Sequence, residues 1–258
     1  MAHLFVLLPD PRVRARFADA LSGAHAVTLA RTWTELRRAA RRDDVDGCVV
    51  DVDSPSREEA FLEIRNLRRR LPELALVAYA DVRESDPELV RLGRLGVDGV
   101  VLARRPPWAS GIRRAVEGAL AAAGARAVAR SLRGRYPDAA VDAVAWAVEH
   151  ASEGPPVPRL AAALGHTPRS LAALLRASGL PTPTRVLLWG RLLQAGALLA
   201  RDARTVEDTA LHLGYATASS FGRAMKTETG YTPGEVAERG GIAFVRARLF
   251  RDRSRGPA

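Results

Sequence analysis

Short apolar runs alternate with longer amphipathic segments over the first half of the chain. Five runs have the length and composition of buried strands, at residues 3–8, 25–30, 47–52, 74–79 and 97–102. The amphipathic segments follow the helical period, at roughly residues 10–22, 32–42, 56–70, 85–94 and 108–124. Near-continuous apolar strands joined by helices are typical of a parallel sheet that is covered on both faces. The pattern predicts a doubly wound, flavodoxin-like α/β fold with five strands.

One of these segments, residues 56–70, shows the expected division of a helix that covers a sheet. The face predicted to pack on the sheet consists of Phe61, Leu62, Ile64 and Leu67. The residues predicted to lie outside are Arg65, Arg68 and Arg69.

From about residue 138 to residue 240 the apolar spacing is helical, and an internal repeat is visible. One copy covers residues 161–171 and the other residues 210–221. In each copy a Leu-Gly pair ends a first helix, because glycine suits the left-handed residue that closes a helix. Thr167 or Thr217 then caps a second helix. Each copy therefore predicts a helix-turn-helix, the second with one extra residue in its turn.

The second helix of each copy has a buried face and a free face. The buried faces are predicted to consist of Leu171, Leu174 and Leu175 in one copy and Phe221, Ala224 and Met225 in the other. The free faces are predicted to present Arg169, Ala173 and Arg176 in one copy and Ser219, Arg223 and Lys226 in the other. A short capped helix with a small or basic free face is what the major groove of DNA accepts.

The positive charge lies mainly in the half that carries this repeat. The chain has 258 residues and a formal net charge of +10, of which residues 1–125 contribute +2 and residues 126–258 contribute +8. This asymmetry predicts a polyanion partner, with nucleic acid as the first candidate. An acidic membrane surface is the second, although it usually requires a basic amphipathic helix with bulky apolar anchors.

Several classes of protein are excluded by the composition. No apolar run reaches the length of a membrane span, and the first residues lack the pattern of a signal peptide, so we expect a cytoplasmic, nucleoid-associated protein without a membrane partner. Cys48 is the single cysteine, and the five histidines have no ligand spacing. No catalytic constellation or phosphate-binding loop is present. We therefore expect no enzyme activity, no metal and no cofactor.

The first half resembles the receiver domain of response regulators. Asp51 ends the third predicted strand, and Pro55 follows four residues later, as after a receiver phosphoacceptor. Gly96-Val97-Asp98-Gly99 precedes the fifth strand in the way of the receiver's Gly-Ala-Asp-Gly. The resemblance implies that Asp51 is a possible phosphoacceptor.

The residues that support phosphotransfer in a receiver are largely replaced. The replacements are Leu8 and Pro9 at the acidic pair that holds Mg²⁺, Tyr79 at the hydroxyl residue and Ala103 at the lysine. A hard divalent cation needs several oxygen ligands, and phosphoryl transfer needs charge neutralisation. The first half is therefore predicted to be a degenerate receiver that is not phosphorylated.

From near Pro137 to near Glu238 the chain resembles transcription regulators of the AraC/XylS type. The matching residues are Arg191-Leu192-Leu193-Gln194-Ala195, Leu198-Leu199, Gly214-Tyr215, Phe221, Met225-Lys226, Gly230 and Thr232-Pro233. The resemblance implies two helix-turn-helix units joined by a long central helix, here about residues 184–200. A helix of this length would hold two reading helices near one DNA turn apart.

The resemblance also implies which residues contact DNA. These are Arg169, Ser170, Ala172, Ala173 and Arg176 in the first unit and Ala218, Ser219, Gly222, Arg223 and Lys226 in the second. By residue type, Arg223 and Arg169 suit guanine, whereas Arg176 and Lys226 suit phosphate. Because alanine offers no hydrogen bond, the first unit is expected to read less sequence. Arg191 lies at a position that is structural in some members of the family, so both roles stay open.

The predicted organisation is an α/β receiver-like domain at 1–124, a linker at 125–136, an all-α double helix-turn-helix domain at 137–240 and a basic tail at 241–258. The tail is either a short helix with a solvated end or a phosphate-binding arm.

The function predicted is a sequence-specific regulator of transcription that binds double-stranded DNA independently of phosphorylation. Its N-terminal domain would serve dimerisation or signal sensing, with RNA polymerase and a second copy of the chain as further partners. Two alternatives stay open: a response regulator gated by phosphorylation of Asp51, and a small-ligand-binding α/β protein that acts through protein partners.

Overall fold

The computed structural model describes residues 2–41, 45–83, 85–106, 108–200 and 205–250. The chain divides into two compact units, Met1–Ala123 and Gly124–Ala258, which are called unit 1 and unit 2 below. Within the described ranges, no helix is long and apolar enough to cross a membrane.

Unit 1 contains a five-stranded parallel sheet. The strands are β1 (Ala2–Leu7), β2 (His25–Leu29), β3 (Gly47–Asp51), β4 (Ala75–Ala80) and β5 (Gly99–Leu102). The order across the sheet is β2-β1-β3-β4-β5, and every neighbouring pair is parallel. The helices are α1 (Pro11–Leu21), α2 (Trp33–Ala39), α3 (Arg57–Arg70), α4 (Pro87–Arg94) and α5 (Trp108–Leu132), of which the residues from Gly124 onward belong to unit 2. The predicted doubly wound fold is confirmed, and each predicted strand lies within two residues of an observed one.

Alternate residues of the strands belong to two separate hydrophobic cores, one on each face of the sheet. On β1, Phe5 and Leu7 join a core that includes residues of α2, α3 and α4. Leu4 and Val6 join the opposite core, which includes residues of α1 and α5. Successive side chains of a strand point to opposite faces, so a strand buried on both sides must be apolar throughout. This explains why the runs in the sequence are nearly continuous.

Two predictions for α3 are wrong. Leu62 is 54% exposed rather than packed on the sheet. Arg68, predicted to lie outside, is mostly buried because its guanidinium donates to the carbonyl oxygen of Gly96 at 2.7 Å and pairs with Asp98 at 2.8 Å. The Asp98 carboxylate also accepts the backbone N–H of Leu76 at 2.9 Å. Asp98 of the Gly-Val-Asp-Gly motif therefore ties the starts of β4 and β5 to α3.

Unit 2 is helical around one central helix. Its elements after α5 are α6 (Asp138–Glu149), a short 3-10 helix (Ala151–Glu153), α7 (Val157–Ala163), α8 (Pro168–Ala177), α9 (Pro183–Leu199), α10 (Val206–His212), α11 (Ala218–Thr229), α12 (Pro233–Glu238) and α13 (Gly241–Leu249). Helix α9 is the predicted central helix, and it contacts α6, α7, α8, α10, α12 and α13. Both helix-turn-helix units therefore pack on the same element.

Glycines on α9 permit its closest contacts. A Cβ atom at Gly190 would lie 2.3 Å from the carbonyl oxygen of Ala147 on α6. A Cβ atom at Gly196 would lie 2.9 Å from the backbone of Gly241 at the start of α13. Real side chains do not tolerate such distances, so glycine at these two positions lets α6 and α13 approach the backbone of α9.

Helical structure extends further than the sequence indicates at two places. Helix α5, expected to end near residue 124, continues to Leu132 and so covers much of the segment predicted as a linker. Helix α13 covers the start of the predicted tail, and Val245, Leu249 and Phe250 are buried in the core of unit 2. Arg251, Arg253 and Arg255 of that tail lie outside the described residues.

Candidate nucleic-acid interface

The two predicted turns have the same backbone geometry. Gly165 and Gly214 are left-handed, with φ of 70° and 73°. After each glycine the next N–H returns to the helix: His166 donates to the carbonyl oxygen of Ala161 at 2.8 Å, and Tyr215 donates to that of Ala210 at 2.9 Å. This is the Schellman arrangement, in which a left-handed glycine lets the last carbonyls of a helix be satisfied. The Leu-Gly signal is therefore confirmed in both copies.

The second helices begin with the same capping box. The hydroxyl of Thr167 accepts the N–H of Ser170 at 3.1 Å, and the hydroxyl of Thr217 accepts the N–H of Ser220 at 3.0 Å. The serine hydroxyls accept the threonine N–H groups in return, which satisfies two free donors at each helix start. The caps therefore align α8 with α11 residue by residue.

The ten residues predicted to contact DNA are all exposed or partly exposed on α8 and α11. Leu171, Leu175, Phe221 and Met225 are fully buried beneath the two helices. The exposed residues are Arg169, Ser170, Ala173 and Arg176 on α8 and Ser219, Arg223 and Lys226 on α11. The partly exposed residues are Ala172, Ala218 and Gly222. Each helix therefore presents a row of small and basic side chains on the face opposite its core.

The four basic side chains of these faces are available for an anion. Among the described residues, neither Arg169 nor Arg176 on α8 makes an ion pair, and the same holds for Arg223 and Lys226 on α11. Ser170 differs, because its hydroxyl already bonds the backbone of Thr167. Its DNA contact stays a prediction, and its equivalent on α11 is Ser220 rather than any of the predicted contact residues.

A buried carboxylate fastens α11 to the central helix, and sequence reasoning did not find it. The side chain of Glu228 is 8% exposed and pairs with Arg185 of α9 at 3.0 Å. It also accepts the indole N–H of Trp189 at 2.7 Å. A buried charge needs such partners, and losing one of them leaves an uncompensated group. Glu228 holds α11 in place although it sits outside the predicted contact face.

Two arginines of the domain have packing roles. The guanidinium of Arg191 lies 5.2 Å from the ring centre of Tyr215, in the turn of the second unit. Burial raises the pKa of Tyr215, while Arg191 acts to lower it. Arg248 of α13 donates to the carbonyl oxygen of Thr229 at 2.7 Å, where α11 ends. The structural alternative for Arg191 agrees with this contact, and a DNA contact by Arg191 stays a prediction.

Asp51 lies in unit 1 at the end of β3 and is half-buried. One of its carboxylate oxygens accepts the backbone N–H of Asp53 at 2.9 Å. Burial raises the pKa of Asp51; the N–H of Asp53 opposes this, and the negative charges of Asp53 and Asp10 add to it. Asp51 is therefore an acidic residue at the end of a strand, as expected from the sequence, and its surroundings disfavour the charged form of its carboxyl group.

The residues near Asp51 do not fit a receiver's magnesium ion. Asp53 pairs with Arg57 and accepts the N–H of Asp81 at 2.7 Å. Asp10 accepts the N–H of Arg12 at 2.7 Å and so caps α1. In the described part of the chain, no three acidic, histidine or cysteine side chains converge on a possible metal position. The carboxylates that a divalent cation would need are committed to arginine and backbone donors.

Arg104 directly follows Ala103, the residue that stands where a receiver has its lysine. Its guanidinium makes a two-pronged ion pair with Asp81, with distances of 2.6 and 3.0 Å. The hydrogen bond from Arg104 lowers the pKa of Asp81. This pair links the segments that directly follow β4 and β5.

Part of unit 2 matches a known family model. Residues 160–239 match the model described as a helix-turn-helix domain. Residues 160–239 form an AraC-type helix-turn-helix domain. The matched AraC-type segment begins within α7 and ends just after α12, so it contains both turns and the central helix. The predicted resemblance to AraC/XylS-type regulators is confirmed for this segment, which is the kind of domain that DNA-binding transcription regulators carry. No curated protein sequence matches the chain.

Solved structures of response regulators are similar to the chain at low identity. The receiver domain of RcsB from Salmonella enterica serovar Typhimurium is 16% identical, with a TM-score of 0.39, over 45% of this chain and 86% of that chain. A response regulator from Thermotoga maritima is 18% identical, with a TM-score of 0.40, over 45% and 98%. RcsB from the same Salmonella serovar, bound to promoter rprA, is 14% identical, with a TM-score of 0.38, over 72% and 97%. The receiver-like fold of unit 1 rests on its own strand order.

Proposed function

We propose that this protein is a sequence-specific, double-stranded-DNA-binding regulator of transcription that acts without phosphorylation of Asp51. The observation that carries the proposal is the equivalence of α8 and α11. Both helices present exposed small and basic side chains; α8 packs on α9, and α11 is joined to α9 through the Glu228 carboxylate and its donors Arg185 and Trp189. The 17 residues of α9 give a length of about 25 Å, which suits two reading helices near one DNA turn apart.

The position of each basic residue along its helix suggests its role. Arg169 lies in the first turn of α8 and Arg223 in the second turn of α11, near the helix starts that enter a major groove. Arg176 and Lys226 lie later on the same faces. We assign base reading to the first pair and phosphate contacts to the second, because arginine can span two acceptors of guanine while phosphate contacts only position a protein.

Selection of bound sequences from a random duplex pool, with the full chain at two salt concentrations, tests this function. We expect two half-sites about one helical turn apart. The half-site under α8 should be the less defined of the two, because Ala172 and Ala173 offer no hydrogen bonds. A pool without enrichment would refute the proposal. A sharper half-site under α8 that is unchanged by Arg169→Ala would show that the readers are assigned wrongly.

Variants at Arg223 and Lys226 separate base reading from phosphate contact. Arg223→Ala should lower affinity for the preferred site and flatten the preference at one or two base pairs, with a loss of about 1–3 kcal/mol of discrimination. Lys226→Ala should weaken all duplexes about equally. Binding of the selected site and of a scrambled duplex, measured by fluorescence anisotropy, distinguishes the two. Equal losses on both duplexes for Arg223→Ala would contradict its assignment as a reader.

Acetyl phosphate with Mg²⁺ should not phosphorylate the chain at Asp51. The neighbouring carboxylates are held by arginine and backbone donors, and the acidic pair is replaced by Leu8 and Pro9. Intact-mass measurement checks this, with an intact receiver domain as the positive control. A stoichiometric gain of one phosphoryl group that disappears in Asp51→Asn would instead favour a regulator gated by phosphorylation.

The remaining parts of the proposal concern partners and location. Unit 1 would serve dimerisation or signal sensing, and the bound regulator would contact RNA polymerase. The protein would act in the cytoplasm at the nucleoid as a non-enzymatic regulator. The helix-turn-helix match and the positive charge of the second half support a DNA partner.

A further inference from the structure

An arginine-lined groove lies between α2 and α3 in unit 1, away from Asp51. In a strand-helix unit the helix runs back against its strand, so the C-terminal ends of α2 and α3 lie where the strands begin. The groove has a volume of about 660 Å³, within the range of small-molecule sites. We propose that this groove, hereafter the α2–α3 groove, binds a phosphorylated ligand of nucleotide size.

The charge of the α2–α3 groove is suited to several phosphate oxygens. Arg37, Arg38, Arg41 and Arg70 line it. Arg37 pairs with Glu63 at 2.6 Å, whereas the other three make no ion pair with a described residue. Each helix C terminus contributes roughly half a negative charge. About two positive charges therefore remain uncompensated, so the groove favours an anionic ligand such as a di- or triphosphate.

The lining also contains groups that a bare phosphate chain would not use. Leu67 and Leu71 supply apolar surface beside the arginines. The side-chain amide of Asn66, which makes no hydrogen bond with a described residue, offers one donor pair and one acceptor. A planar base can pack on leucine and on guanidinium faces while its phosphates take the paired donors of arginine. This combination favours a nucleotide over pyrophosphate.

Stabilisation of helix ends explains the arginines only in part. Basic residues in a last turn interact favourably with the helix dipole, and this applies to Arg37, Arg38 and Arg70 one by one. It does not explain why the ends of two different helices line one cavity together with Asn66 and Leu71. Arg69, also in the last turn of α3, does not line it and provides a matched control.

Calorimetric titration of the full chain tests this inference, with ATP, GTP, pyrophosphate and adenosine as probes in magnesium-free buffer. We expect saturable binding of at least one nucleoside triphosphate with one site per chain. Pyrophosphate and adenosine, each lacking half of the recognised groups, should bind at least tenfold more weakly. The double variant Arg38→Ser/Arg70→Ser should lose at least tenfold in affinity for the triphosphate, whereas Arg69→Ser should retain it.

Two results would overturn the inference: no binding of either triphosphate, or binding that the double variant leaves unchanged. Circular dichroism melting of each variant checks that unit 1 remains folded. The double variant Arg169→Ala/Arg223→Ala changes the predicted DNA-binding surface of unit 2, and it should leave nucleotide binding intact. Because the titration uses no DNA, its failure is independent of the failure of the proposed function.

Discussion

The affinity of the full chain for duplex DNA should fall about a thousandfold when salt is raised from about 50 to about 200 mM. Each phosphate contact by lysine or arginine releases a condensed counterion, so log affinity falls with log salt by about 0.9 per contact. The exposed basic residues of α8 and α11 and the net charge of +8 on residues 126–258 provide such contacts. Six contacts would account for the expected fall.

Single charge removals determine where those contacts lie. Lys226→Ala should lower the salt slope by about one unit. Arg12→Ala removes the same charge from an exposed position on α1 of unit 1, and it should leave the slope unchanged. Anisotropy titrations at four salt concentrations give the slopes. Binding that does not depend on salt, or an equal effect of the two variants, would contradict an interface on unit 2.

Keeping the chain whole matters for this measurement because of α5. The sequence suggests a cut near residue 125, where a linker is predicted. In the structure α5 continues to Leu132, and Ala125, Val128 and Leu132 belong to the core of unit 2. A fragment that starts at the predicted linker would begin inside this helix and would disturb the core that supports α9.

The features that the sequence predicts well are those with local causes. The five strands follow from apolar runs between amphipathic segments, and both helix-turn-helix units follow from a Leu-Gly pair and a capping threonine. Gly165 and Gly214 adopt the left-handed conformation, and Thr167 and Thr217 cap their helices through contacts three residues away. Such signals depend on neighbours in sequence, so a single chain is enough to recognise them.

The features that the sequence misses depend on partners distant along the chain. Arg68 is buried because Gly96 and Asp98, about thirty residues later, provide acceptors for its guanidinium. Glu228 is buried because Arg185 and Trp189, about forty residues earlier, provide its donors. An analysis of helical periodicity places both residues on the surface, because they are charged and because the pattern carries no information on ion pairs with distant residues. The α2–α3 groove is likewise formed by two helices whose order in sequence gives no sign that their ends meet.

The close contact between α9 and α6 requires glycine at position 190, and replacing this glycine should destabilise unit 2. Gly190→Ala adds a methyl group that would lie 2.3 Å from the carbonyl oxygen of Ala147 and 2.4 Å from its carbonyl carbon. Neither atom can move without shifting the backbone of α6. Alanine gains about 1 kcal/mol over glycine in helix propensity, and overpacking of this kind costs about 3 kcal/mol or more.

We therefore expect Gly190→Ala to lower the free energy of unfolding by about 2 kcal/mol or more, with a fall in Tm of roughly 6–10 °C. Gly124→Ala is the matched control, since Gly124 is also helical and has no atom within 4 Å of an added Cβ. That variant should be neutral or more stable by up to about 1 kcal/mol. Thermal and urea unfolding, followed by circular dichroism, measure both. If Gly190→Ala were as stable as Gly124→Ala, α6 could withdraw from α9 without cost, and the close contact would not be what holds α6 on the helix that carries both reading units.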